Sequence, residues 1–188
     1  MRSPGEGSRR ACRGFVLLLA GLLPLGAQAA LPPAQEHEVK AAFIYNFTKF
    51  VEWPANRFEQ PAAPLVIGVA GNTPVATALQ IAVRGRYVNE HPLQVVMLSR
   101  PEDARQLHLL FIPAAEEHRL AGWIAAAAGA GVLTVGESTG FLQRGGAINF
   151  VQQADRVRFE IHLGAAEHAG LRVSAQLLKL AIAVRQDS

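Results

Sequence analysis

The sequence predicts a three-layer α/β fold, with a mostly parallel central sheet and an antiparallel C-terminal hairpin at the sheet edge. Three observations carry that prediction. Four short apolar runs, at residues 65–70, 93–98, 107–112 and 132–135, alternate with helical stretches. That is the pattern of parallel strands covered on both faces and joined by right-handed crossovers. After Phe141 the pattern changes: Val157, Phe159, Ile161 and Leu163 alternate with Arg158, Glu160 and His162, giving one covered and one open face. Ahead of the strands, Val39, Phe43, Phe47, Phe50 and Val51 recur at steps of three and four, the apolar stripe of an amphipathic helix.

Taken in order, the chain opens with Arg2, Arg9, Arg10 and Arg13, an apolar run over 14–25, and Ala27-Gln28-Ala29. A basic region, a short apolar core and small residues at a cut site read as a secretory signal peptide, residues 1–29. The apolar run falls short of the ~20 residues of a bilayer span. Residues 30–188 are then expected to form a single domain in the periplasm. Removing the four arginines and Glu6 from the 18 basic and 15 acidic residues leaves 14 of each. A neutral domain without a basic cluster points away from nucleic acid. The one cysteine, Cys12, leaves with the signal, so disulfides, thiol nucleophiles and thiol redox sensing are excluded from the mature chain.

The amphipathic helix is expected over 36–53, stopped by Pro54, which cannot donate the next backbone bond. Its other face carries Lys40, Tyr45, Asn46, Lys49 and Glu52. With Trp53, the residues Tyr45, Asn46, Lys49 and Glu52 make a compact polar and aromatic group of the kind used to contact partners. Residues 55–64 read as a linker. Asn72-Thr73-Pro74 caps a helix reaching Val83, Pro101 starts a helical turn, and an alanine-rich helix over 116–128 ends at Gly129 and Gly131. Gly145-Gly146 leads into a strand over 147–151, residues 152–155 turn, and 157–163 return as the second arm of the hairpin. Ser174 caps a last helix whose Leu177, Leu178, Ala181 and Val184 bury a stripe.

Three stretches, AAFIYNFTKFVEWP, GGAINF and the FEI near the C-terminus, make the chain resemble the YfiR family of periplasmic proteins over residues 38–184. The first motif is the specific one, because an aromatic helix ending in Glu-Trp-Pro is an unusual combination. The resemblance implies a regulator that binds the periplasmic sensor domain of an inner-membrane diguanylate cyclase and holds it inactive. Cyclic-di-GMP and biofilm formation then fall, and an OmpA-like outer-membrane lipoprotein relieves the repression. It also implies a homodimer, while the residues themselves assemble no catalytic set and point to no cofactor and no enzymatic activity. Two departures stand out. The mature chain lacks the disulfides of some relatives, so the surroundings of Leu107 and Asn149 depend on packing alone, and His162 stands where an asparagine is expected.

Glu160 lies between Phe159 and Ile161 on the open face of the hairpin. It is either an exposed strand residue or a polar anchor in a shallow docking surface lined by Ile148 and Phe150, and the resemblance favours the second. The expected partner-binding set is therefore Tyr45, Asn46, Lys49, Glu52, Trp53, Ile148, Phe150, Glu160 and His162. Other chemistry is weaker. Residues 68–73 form a turn between strand and helix without a dinucleotide or phosphate-loop fingerprint. His37, His91, His108, His118, His162 and His168 show no metal-binding spacing. Gly136-Glu137-Ser138-Thr139-Gly140 fits the pattern of a hydrolase elbow, but the chain is short for that fold and the same residues read as a capped turn. The runner-up function is a small-molecule sensor with its ligand at the carboxyl ends of the parallel strands, and a hydrolase comes third.

Overall fold

The computed structural model describes residues 33–186; the predicted signal peptide lies outside them. The first element, α1 (Pro33–Phe50), is followed at once by β1 (Val51–Glu52). The sheet is then built from β2 (Leu65–Ala70), β3 (Tyr87–Val88), β4 (His91–Leu98), β5 (Leu109–Ile112), β6 (Leu133–Gly136), β7 (Ile148–Gln153), β8 (Arg156–His162) and β10 (Ala183–Arg185). Between them run α2 (Pro74–Val83), α3 (Leu120–Ala127), α4 (Leu163–His168), β9 (Arg172–Val173) and α5 (Ala175–Leu180).

Among the described residues the main sheet has eight strands in the order β10-β8-β7-β6-β5-β2-β4-β3. Strands β4, β2, β5, β6 and β7 are parallel, and β7 and β8 form the antiparallel hairpin, with Asn149 opposite Glu160 and Phe150 opposite Phe159. The three-residue strand β10 adds parallel to β8 and extends the sheet past the hairpin. One face is covered by α1, α2 and the C-terminal helices. There Ile67, Val69, Phe111, Val135, Ile148, Phe150, Phe159 and Ile161 pack against Ala41, Ile44, Phe47 and Leu79. The other face buries Leu107, Leu110, Ile112, Trp123 and Phe141 beneath α3 and the short 3₁₀ turns. These are the three predicted layers.

Phe47 is fully buried, its ring 5.1 Å from Phe159 and 5.8 Å from Phe150. Phe43 lies 5.4 Å from Phe159. The apolar stripe of α1 thus docks onto the C-terminal hairpin through aromatic contacts, each worth about 0.5–1.5 kcal/mol beyond the area buried.

Several boundaries differ from the sequence prediction. Helix α1 ends at Phe50, not Trp53, because Val51 and Glu52 pair antiparallel with Val173 and Arg172 of β9 and the Phe50 carbonyl accepts from Ser174 N at 2.9 Å. The cap at Ser174 is present, its Oγ accepting from Leu177 N, but α5 stops at Leu180 and the chain turns extended. Leu177 is buried while Val184 sits on β10, 45% exposed, so the four predicted positions do not form one stripe. Thr73 caps α2 as predicted, its Oγ accepting from Ala76 N.

Candidate functional site

Two sites gather the polar residues singled out by the sequence. The first is the outward face of α1. Lys49 Nζ lies 4.0 Å from the Tyr45 ring centroid and donates to Asn46 Oδ1 at 3.3 Å. Arg86, from the turn after α2, donates to the Tyr45 hydroxyl at 3.4 Å and stands 5.0 Å from the ring. The Arg86 hydrogen bond, with Lys49 behind it, holds the phenol below its usual pKa. The sequence had no means of adding Arg86, which joins the cluster only because α1 and α2 pack together.

Glu52 is exposed further along and lies 3.4 Å from Arg172, an ion pair between two solvated side chains that contributes little. Trp53 turns inward. Its indole nitrogen donates to the His108 carbonyl at 2.9 Å and its ring meets the His108 imidazole edge-on. His108 is 4% exposed; its Nδ1 accepts from Val66 N and its Nε2 faces the Arg57 carbonyl at 3.2 Å. That pairing fits the neutral imidazole protonated on Nε2. Burial, aided by the nearby Arg57 guanidinium, lowers its pKa from 6.5 to about 4.

The second site is a cleft of about 600 Å³ at the carboxyl ends of the central strands. Glu36 and Lys40 enter it from α1, Glu137 and Ser138 from the end of β6, and Asn149 and Glu160 from the hairpin. Lys40 Nζ bridges Glu36 at 2.5 Å and Glu137 at 2.6 Å. The second Glu137 oxygen accepts from Ala114 N at 2.9 Å, tying in the end of β5. Burial opposes the charge on Lys40, but the hydrogen bonds to Glu137 and Glu36 outweigh it and raise its pKa. The bond from Lys40 in turn lowers that of Glu36. Arg144 braces the loop by donating to the Thr139 carbonyl and to Glu117.

At the back of this cleft Ser138 and Asn149 are 3% and 7% exposed, and among the described residues neither Ser138 Oγ nor Asn149 Oδ1 has a hydrogen-bond partner. A hydrolase elbow presents an exposed serine hydroxyl; Ser138 is enclosed and followed by a 3₁₀ turn, so it lacks that geometry. Gly71, in the turn after β2, has φ +74 and faces the Glu116 carboxylate, a poor setting for an anion.

Of the predicted lining of Glu160, Phe150 borders the same cleft and Ile148 does not. Ile148 and Phe150 are 0% and 3% exposed and belong to the α1 side of the sheet. Asn149 is the register partner of Glu160, so those two share a face, and successive strand residues point oppositely. His162 caps α4 by accepting from Ala165 N at 2.9 Å and borders a different hollow, with His168 and Arg185. Lys40, Glu137, Ser138 and Asn149 are absent from the predicted set. The Glu36 and Lys40 spacing of one helical turn was the available signal for part of it.

Among the described residues no helix is long and apolar enough to cross a membrane. A conserved domain protein from Vibrio cholerae is similar in structure, with a TM-score of 0.55 and 15% identity, covering 84% of this chain and 62% of that one. An ABC domain from Streptococcus pneumonia, crystallised with L-Trp, gives a TM-score of 0.51 and 9% identity over 79% of this chain and 60% of that one. The chain therefore spans less than two thirds of either structure, and likeness at these identities concerns the fold. No curated protein gives a significant match. A sequence model described as YfiR/HmsC-like matches residues 37–182, which takes in most of α1, the central sheet up to β8 and both clusters above apart from Glu36, and the chain belongs to that family.

Proposed function

We propose that this chain is a periplasmic regulator that binds the periplasmic domain of an inner-membrane diguanylate cyclase and represses it, lowering cyclic-di-GMP and biofilm formation. The observation that carries this reading is the YfiR/HmsC-like match over residues 37–182, a family of regulators, not enzymes. An OmpA-like outer-membrane lipoprotein would sequester the regulator, and a homodimer would be the acting form. Repression is a population shift: the chain must bind the inactive cyclase more tightly than the active one, since equal affinity shifts nothing.

The contacts proposed are the exposed Lys49 and Glu52 with the half-buried Tyr45 and Asn46 on the α1 side, and the half-buried Glu160 with His162 on the hairpin. Trp53, Ile148 and Phe150 support these surfaces from beneath. Cellular cyclic-di-GMP, measured with the chain deleted and then restored with and without residues 1–29, tests the reading. A rise on deletion reversed only by the full chain is expected; no rise refutes it. Lys49→Glu and Glu160→Lys at normal abundance should each release the cyclase. A second reading, a small-molecule sensor, is favoured by the unpartnered Ser138 and Asn149 oxygens in the cleft.

A further inference from the structure

We infer that the cleft between α1, the loop after β6 and the β7–β8 hairpin binds an organic cation, an ammonium or guanidinium group. This deepens the second reading above, since it presumes that the cleft takes a ligand. The inference rests on the balance of charges and of donors and acceptors. Glu36, Glu137 and Glu160 bring three carboxylates to the wall and Lys40 brings one ammonium. Lys40 is committed to Glu36 and Glu137, which leaves the cleft with a surplus of negative charge.

The unfilled positions are also acceptors. Asn149 Oδ1 and Ser138 Oγ are enclosed without partners, and a buried polar atom left unpaired is costly unless something completes it. Asn149 stands opposite Glu160 in the ladder, so the two side chains share one face of the sheet, and both residues line the cleft. A group with several N–H donors and a positive charge matches that pair. A bare metal ion does not. Among the described residues no three His, Cys, Asp or Glu side chains converge closely enough to hold one, whereas an alkylammonium or guanidinium spreads its donors over the span.

The cation has two possible sources, a free amine or the Lys or Arg side chain of a protein, and the test separates them. Residues 30–188 are titrated with 1,4-diaminobutane, agmatine and N-acetyl-arginine amide, with 1,4-butanediol and succinate as neutral and anionic comparisons. Binding is read by calorimetry and by the Asn149 side-chain amide resonances. We expect saturable binding of at least one cationic probe with Kd of about 1 mM or tighter, a shift of the Asn149 amide signals, and about tenfold weakening in Glu160→Gln, the size expected for one charge-assisted hydrogen bond. Binding of the free amines assigns a small-molecule source; binding of capped arginine alone assigns a protein side chain. Preferential binding of butanediol or succinate overturns the cation class but leaves the sensor reading standing. Failure of every probe overturns both. Glu160→Gln is a near-isosteric change at a half-buried strand residue paired with Asn149 and Ala183 and is expected to fold; if it does not, Asn149→Ser serves the same comparison.

Discussion

Acidification should destabilise this fold through His108. Its imidazole is neutral in the native state, with a pKa lowered to about 4 from 6.5 by burial and by Arg57. The unfolded chain therefore binds a proton that the folded chain refuses, and stability rises with pH through that window. Above about pH 6.5 both states are neutral and the contribution is fully present; it is lost as pH falls toward 4. At about pH 5 the two pKa values correspond to about 2 kcal/mol of lost stability, a sizeable part of a typical 5–15 kcal/mol. Urea denaturation of residues 30–188 at about pH 7 and about pH 5 gives the total loss. Other groups titrate in the same range, so the comparison is with His108→Gln, whose amide can donate to the Arg57 carbonyl and accept from Val66 N without titrating. The variant should lose about 2 kcal/mol less than wild type over the same step. Equal losses in the two proteins would refute the assignment of a neutral, enclosed imidazole.

Three further outcomes are expected. Lys40→Met leaves Glu36 and Glu137 facing each other without their cation; because the site is partly open to water, we expect a loss of about 2 kcal/mol at neutral pH, measured by urea denaturation. The Glu36 part of that loss should vanish as pH falls through its lowered pKa, since the native carboxylate is then protonated. Gly136→Ala places a methyl group 2.3 Å from the Phe141 ring and should cost about 1–3 kcal/mol by overpacking; Phe141→Leu in the same chain should restore part of it, read as non-additive melting temperatures. Phe47→Ala opens a cavity between α1 and the hairpin and should cost about 3–5 kcal/mol, with loss of cooperative unfolding as the stringent sign that α1 has detached.

Much of the fold is legible because the chain signals it by period. The continuous runs of β2 and β6 and the strict alternation of β8 are long enough to define their strands, and Thr73 and Ser174 are caps recognisable by residue type. The pieces that escape are too short to carry a period. Val51–Glu52, Tyr87–Val88 and Ala183–Arg185 become strands only because a partner lies alongside, so tertiary pairing overrides what each would do alone. The α1 cluster was half legible: Tyr45, Asn46 and Lys49 share a helical face, but Arg86 reaches them from another element. Ile148 and Phe150 illustrate the opposite case. The alternation that placed Glu160 outward also places them inward, a consequence visible in the sequence once β7 is set in register against β8. The cleft was less legible still, since Lys40, Glu137 and Asn149 are far apart in the chain.

The docking of α1 on the hairpin also fixes an order of events for a nascent chain. Phe43 and Phe47 emerge early, whether from a ribosome or on the far side of a membrane, while their partners Phe150 and Phe159 follow about 100 residues later, and a loop of that length is slow to close. Until then the helix has only α2 and the parallel strands to lie against, and the part of its aromatic stripe that meets the hairpin stands bare to any chaperone or neighbouring chain. The last arm of the hairpin is thus the lid on the aromatic stripe: a chain cut short before Phe159 would keep its central strands and the packing of α1 on α2 and still leave the Phe43 side of its first helix uncovered.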